Sequence, residues 1–309
     1  MLPTQTINPQ VLREFILVNE DILKRKFPER KNQLKVGRPR IGLRWVIVAI
    51  GVFARIDQIV WRELPCKLVS CNFLIDEEYV SAIPSKSSFH RVWNETRISN
   101  FETWICRLGN EISQFDDPDL AVDSSGFEYQ IGSIWRWVKW NRKMLTKTSK
   151  LFRKIHLAVA LPSRAIVGIK STKSLVHDAK GFGLLWPSLS KRAIPRIKRV
   201  HADKAYWSEN IINYLDQENI QAVIPCKSNS IDHGTTSPMD HLVRTQRNYP
   251  GIYKINYKTN RRACVEPVFG NIKIRKPVLR DQKMHNKVKT LLCSFLWYNH
   301  KIHIKGVVS

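Results

Sequence analysis

The sequence predicts an α/β protein: a mixed five-stranded sheet with flanking helices, preceded by an all-helical N-terminal region. Three observations predict it. Apolar residues recur at helical spacing through residues 1–115, whereas short β-rich runs begin at Leu120. From there the runs read strand, strand, strand, helix, strand, helix, strand, helix, helix. The first and fourth strands each end on a carboxylate, Asp123 and Asp203. Three antiparallel strands followed by two parallel crossovers place those two strands side by side, with both acids at their tips.

In the N-terminal region, Val11, Leu12, Phe15, Ile16, Ile22 and Leu23 mark a helix over residues 9–26. A basic stretch from Lys24 to Arg40 follows, with Gly37-Arg38-Pro39-Arg40 as a rigid turn. Arg40 to Arg55 reads as a helix apolar over most of its surface, hence a core helix. Trp61-Arg62-Glu63-Leu64-Pro65 reads as a short segment ended by its proline. Ser85 suits the N-cap of a helix running to Arg97, which gathers Phe89, Val92 and Trp93 on one face and Lys86, His90, Arg91 and Arg97 elsewhere. Asn100 to Ile112 turns Phe101, Trp104, Ile105, Leu108 and Ile112 inward. Residues 1–115 therefore suit a helix-turn-helix-like DNA-binding domain with Arg91 among its contacts. The alternative is that the helix from Ser85 only packs and its charges are solvated.

Asp116, Asp117, Pro118 and Asp119 are turn formers that mark the start of a second domain, 116–309. Leu120-Ala121-Val122 leads to Asp123-Ser124-Ser125-Gly126. Trp135, Trp137 and Trp140 then alternate with Arg136, Lys139, Arg142, Lys143 and Lys147, a mixture that suits stacking and phosphate pairing or, equally, a hairpin built on structural tryptophans. Phe152–Leu161 and Arg164–Ser171 form a hairpin across Pro162-Ser163. A helix at Lys180–Leu189, a strand at Arg196–Ala202 ending on Asp203, a helix at Ser208–Glu218 and a strand at Gln221–Pro225 follow. Lys227–Pro238 is a polar loop. Asn260–Ile274 is a helix carrying Glu266 in its interior, and Lys283–His300 is the last helix. The helix from Ser208 and the last helix are expected to cover the two faces of the sheet.

Composition narrows the function. Lys and Arg number 51 against 26 for Asp and Glu, a net charge of +25. An excess of this size calls for a polyanionic partner, most simply nucleic acid. Basic residues are spread along the chain, and the longest apolar run, Trp45 to Ala54, is half of the roughly 20 residues a membrane span needs. The start, MLPTQTINPQ, lacks the layout of a secretory signal. No membrane partner and an intracellular location are expected. The six cysteines include no C-x-x-C pair and read as scattered thiols.

Acids isolated at strand tips in so basic a chain have a chemical use. Two carboxylates held close repel unless a cation neutralises them. Magnesium takes hard oxygen ligands, and two such ions about 3.5–4 Å apart serve in-line displacement at phosphorus. Asp203 follows Asp123 by 80 residues, and Glu266 follows Asp203 by 63.

Several blocks, in order along nearly the whole chain, resemble the DDE transposases of bacterial and archaeal insertion sequences, in the large group usually numbered four and five and closer to five. Ala121-Val122-Asp123-Ser124-Ser125-Gly126 resembles the first catalytic strand of that family. Val200-His201-Ala202-Asp203-Lys204-Ala205-Tyr206 resembles the second aspartate block, and Arg262-Ala263-Cys264-Val265-Glu266-Pro267-Val268-Phe269 the glutamate helix. Lys273 stands seven residues after Glu266, as in the family's Tyr-Arg-Glu-Lys signature. Ser174-Leu175-Val176-His177-Asp178 and Trp61-Arg62-Glu63-Leu64-Pro65 match further blocks. Thr259 occupies the signature's tyrosine position, with Tyr257 two residues earlier, and Lys204 stands where relatives often have a small residue. The short span from Asp203 to Glu266 leaves no room for the large β-rich insertion of some relatives.

The resemblance implies a ribonuclease-H-like catalytic domain over 116–309. Asp123, Asp203 and Glu266 would be both catalytic residues and ligands of two Mg2+ (or Mn2+) ions. Arg262 and Lys273 would hold DNA phosphates, alongside Lys139, Arg142, Lys143 and Arg91. The implied activity is cleavage of transposon ends followed by joining of the freed 3′-hydroxyl to target DNA. The implied partner is double-stranded DNA, bound by a homodimer or higher oligomer in the cytoplasm, at the nucleoid. Asp178 reads either as a residue behind the site or as a helix N-cap. A metal-dependent nuclease of the same fold and a non-catalytic DNA-binding protein derived from a transposase fit the same residues. A strand-transfer assay separates them.

Overall fold

A computed structural model describes residues 7–28, 42–114, 116–128, 152–173, 176–274 and 283–308. The turn at 37–40, Lys139, Arg142, Lys143 and the tryptophans among them lie outside the described residues. Contacts divide the chain into two units: Met1–Trp104 with Pro277–Lys301, and Ile105–Lys276 with Ile302–Ser309.

The first unit is helical. Asn8 caps α1 (Pro9–Lys26) by accepting from the backbone N–H of Gln10 and Val11. Helix α2 (Arg44–Ile56) is buried on nearly every side, as its composition predicts. Pro65 sits in the first turn of α3 (Leu64–Lys67), where its missing N–H costs no hydrogen bond, so it starts a helix there instead of ending a segment. After a single turn, α4 (Phe73–Asp76), Ser85 caps α5 (Lys86–Glu95) by accepting from Ser88 N at 3.3 Å. Helix α5 buries Phe89, Val92 and Trp93 and leaves Lys86, His90 and Arg91 exposed. Helix α6 (Ile98–Ile112) brings in Trp104, whose indole N–H donates to Asn19 Oδ1 at 2.7 Å.

The last helix, Met284–Val308, departs from expectation. Through Lys301 it packs into the helical core. Trp297 meets Phe15 and Phe53 at 6.0 and 6.1 Å between rings, and buried Lys289 donates to the carbonyls of Trp93 and Thr96. Apolar periodicity tells that a helix is buried but not what buries it. The same packing groups residues 283–301 with the helical unit, although the sequence alone groups them with 116–309.

The second unit holds a five-stranded sheet of order β3-β2-β1-β4-β5: β1 (Asp119–Glu128), β2 (Phe152–Leu161), β3 (Ile166–Lys173), β4 (Arg199–His201) and β5 (Gln221–Val223). The first three pair antiparallel, while β4 is parallel to both β1 and β5. Side chains alternate across a strand, so Leu120 and Val122 face one way with Ala158, Ala160, Val200 and Ala222. They pack against Phe182 and Leu185 of α7 (Asp178–Leu185), Ile212 and Leu215 of α8 (Glu209–Gln217), and Val243 of α9 (Pro238–Asn248). Helix α10 (Pro250–Tyr257) and a 3₁₀ run at Thr259–Val265 follow, and then α11 (Glu266–Ile274). Burying each large apolar side chain contributes roughly 1.5–3 kcal/mol, against roughly 0.5–1.5 for a hydrogen bond. Packing therefore holds the sheet, and the polar contacts set where its acids sit. Among the described residues no helix is long and apolar enough to cross a membrane.

Candidate active site

The seam between β1 and β4 positions the two aspartates. Their parallel register runs Asp119↔Arg199, Leu120↔Val200, Ala121↔His201 and stops there. Asp123 and Asp203 both lie two residues beyond the last pair, on the side of the sheet to which Ala121 and His201 point. Asp123 is not at a strand tip as expected. It is in the middle of β1, which continues to Glu128 because β2 pairs with it throughout, whereas β4 spans only three residues. What ends near Asp123 is its neighbour on one side. Asp203 follows β4 and caps the 3₁₀ turn Lys204–Tyr206, its Oδ1 accepting from Ala205 N at 2.8 Å.

Burial pushes the Asp123 carboxyl up from 3.8 to about 6. The N–H of Ser124, donating to Oδ1 at 2.7 Å, works against that rise. The negative charges of Asp203 and Asp178 add to it, and Arg262 opposes it. A carboxyl with a raised pKa binds its proton more tightly in the folded state. Its stabilising contribution is thus full below 3.8 and lost as pH rises through about 6. Above that pH the folded protein carries an ionised, poorly solvated acid, which a divalent cation would relieve. We expect Mn2+ to raise the melting temperature clearly at pH 7.5 and little at pH 5, where protons compete. An equal rise at both values would exclude Asp123 as a ligand.

Two of the three expected acids suit a hard cation in type: Asp123 is desolvated, and Asp203 is near enough for its charge to raise the Asp123 pKa. The third stands apart. Glu266 is exposed, and among the described residues no group of three His, Cys, Asp or Glu side chains stands ready to hold a metal ion. Glu266 is also the first residue of α11 and not interior to a longer helix. Pro267 explains this, since proline is tolerated only in a first turn.

The segment carrying Glu266 lies on the same sheet face as Asp123. Arg261 donates to the fully buried carboxylate of Asp119, which Arg199 Nε also approaches at 3.3 Å. Asp119, read above as a turn former, is thus a buried residue of β1. Further along β1, Phe127 meets Phe269 at 6.2 Å, and Lys273 Nζ stands 5.6 Å from the Phe127 ring. Arg262 and Lys273 therefore share the Asp123 side of the strand. Arg91 is an exposed residue of the helical unit.

Behind Asp123, on the opposite face, lies a polar cluster. Asp178 is not the cap of α7, since His177 occupies that position. Burial acts to raise the Asp178 pKa, but the Ser124 hydroxyl and the Lys154 ammonium, 2.9 Å away, hold it below the ordinary carboxylate value. His156 is fully buried, donates or accepts at Thr172 Oγ1 over 3.0 Å, and is pushed down to about 4 by burial, so it is neutral at pH 7. Gly181 makes room for it: a Cβ there would stand 2.1 Å from the imidazole. Lys154 and His156 are not among the expected site residues; the signal for them is a polar residue alternating onto the core face of an apolar strand (Lys-Ile-His-Leu).

A mixed sheet of this order, with helices on it and carboxylates at the β1–β4 seam, defines a ribonuclease-H-like α/β domain. The family described as "Transposase DDE domain" matches residues 114–294, and the chain belongs to that family. A solved structure, the piggyBac transposase in a synaptic complex with hairpin DNA, aligns with 97% of this chain and 76% of its own. Identity is 12% and the TM-score 0.38, too slight a likeness to carry an argument. No curated protein matches the sequence significantly.

Proposed function

We propose that this transposase binds the ends of a mobile DNA element, cleaves them and joins the 3′-hydroxyl ends to target DNA. The observation that supports the reading is the parallel β1–β4 register, which makes neighbours of the strands that lead to Asp123 and Asp203, 80 residues apart in the chain. Asp123 and Asp203 would hold divalent metal, with Glu266 supplied from the start of α11. A bound pair of Mg2+ ions supplies charge for the attacking and leaving oxygens of displacement at phosphorus. Arg262, in the field of Asp123, would pair with the scissile phosphate, and Lys273, beside Phe127, with a neighbouring one. The net charge of +25 supports double-stranded DNA as the partner. A homodimer or higher oligomer on DNA belongs to the same proposal.

The test uses the full chain. A fragment ending at residue 115 would lose the last helix and leave Phe15 and Phe53 without Trp297. Incubation with a duplex carrying the element's end and Mg2+ or Mn2+ should give nicked ends and then joined products. Cutting without joining would point to a nuclease, and neither product to a DNA-binding protein. Binding itself should weaken by orders of magnitude between about 50 and 200 mM salt if several phosphates are neutralised. Arg91→Ala should flatten that salt slope by about one unit, as one phosphate contact does. An unchanged slope removes Arg91 from the interface.

A further inference from the structure

The cluster behind Asp123 has a use that rests on the reading above and goes beyond it. Ser124 is bonded on both sides of its strand. Its backbone N–H donates to Asp123 Oδ1 at 2.7 Å, and its hydroxyl donates through the opposite face to Asp178 Oδ1. Asp178 is held in turn by Lys154 Nζ at 2.9 Å, and Lys154 also donates to the Val176 carbonyl at 3.2 Å, just before α7. The aromatic hydroxyl of Tyr206, three residues after Asp203, is buried and interacts with the Ser124 side chain. Ser124 has spent its one hydrogen on Asp178, so its lone pairs are free to accept from Tyr206.

We infer that Asp178 is a positioning residue for Asp123, acting through Ser124, with Lys154 and Tyr206 fixing the link from behind. Beyond its last pair with β4, β1 has lost the neighbour that would otherwise pin it on that side. The Asp178–Ser124 bond replaces that constraint at the residue whose N–H orients the Asp123 carboxylate. Lys154 neutralises Asp178, so this third acid does not itself compete for the cation.

The test compares Ser124→Ala, Asp178→Asn, the double variant and Asp123→Ala in the full chain. The readouts are the Mn2+ concentration giving half of the metal-induced rise in melting temperature, and the metal-free melting temperature. If the link positions Asp123, each single variant should raise half-saturation about tenfold. The double variant should do no worse than either, because both break one connection. Tyr206→Phe, which removes the hydroxyl that backs Ser124, should weaken the Mn2+ response more than its small change in metal-free melting temperature accounts for. Wild-type half-saturation in Ser124→Ala would overturn the inference, as would additive losses that merely follow a lower metal-free melting temperature. Asp123→Ala separates the two levels. If it abolishes the Mn2+ response while Ser124→Ala does not change it, only the positioning link fails. If Asp123→Ala responds like wild type, the site itself fails.

Discussion

Asp123→Ala should lower metal-dependent cleavage of end-bearing DNA by about a thousandfold or more, roughly 4 kcal/mol at the barrier, while DNA binding stays near wild type. Asp123 lies just beyond the β1–β4 register, and the charge of Asp203 acts on it there. Asp123→Asn sharpens the expectation. It keeps the size of the side chain and removes a charge that burial disfavours. The variant should be as inactive as the alanine and melt higher than wild type, since the ionised acid destabilises the folded protein above pH 6. Activity lost with stability gained is what a functional charge predicts, and a structural acid would lose both. Cleavage within tenfold of wild type in either variant would remove Asp123 from the chemistry.

Asp119→Ala should destabilise the sheet-bearing unit by about 3 kcal/mol, read as a shift in urea unfolding. The carboxylate is fully buried, bonded to Arg261, with Arg199 Nε at 3.3 Å and His201 Nε2 at 3.6 Å. Removing it leaves two guanidinium groups facing each other around a hole. Both are partly exposed, which keeps the cost toward the low end for a broken buried pair. The same change unties the 3₁₀ run before Glu266 from β1, so cleavage should fall as well. Arg261→Ala should cost less stability, because Asp119 keeps Arg199, yet lose comparable activity. If Asp119→Ala unfolds within 1 kcal/mol of wild type, this ion pair is not what seats the Glu266 segment.

Much of this fold is legible in the sequence, because strand order follows from chain order once a hairpin is followed by two parallel crossovers. The neighbouring of β1 and β4 is readable that way. Other features were hidden for physical reasons. Asp119 looks like a turn residue, since nothing local reveals an arginine 142 positions later in the chain. Asp178 has the residue type of a cap, and only the fold brings Ser124 and Lys154 to it. The last helix has an apolar pattern that suits any core, so its place in the helical unit could not be derived from period alone. The position of Glu266 is legible, since Pro267 marks the first turn of its helix.

The central claim is that Asp123 and Asp203 together form one divalent-cation site. Calorimetric titration of the full chain with Mn2+ at pH 7.5, without DNA, tests it most directly. Wild type should show saturable binding, and Asp123→Ala and Asp203→Ala should each abolish the same component, because neither carboxylate alone offers enough ligands. Undiminished binding in both variants, or loss in only one of them, would contradict a shared site.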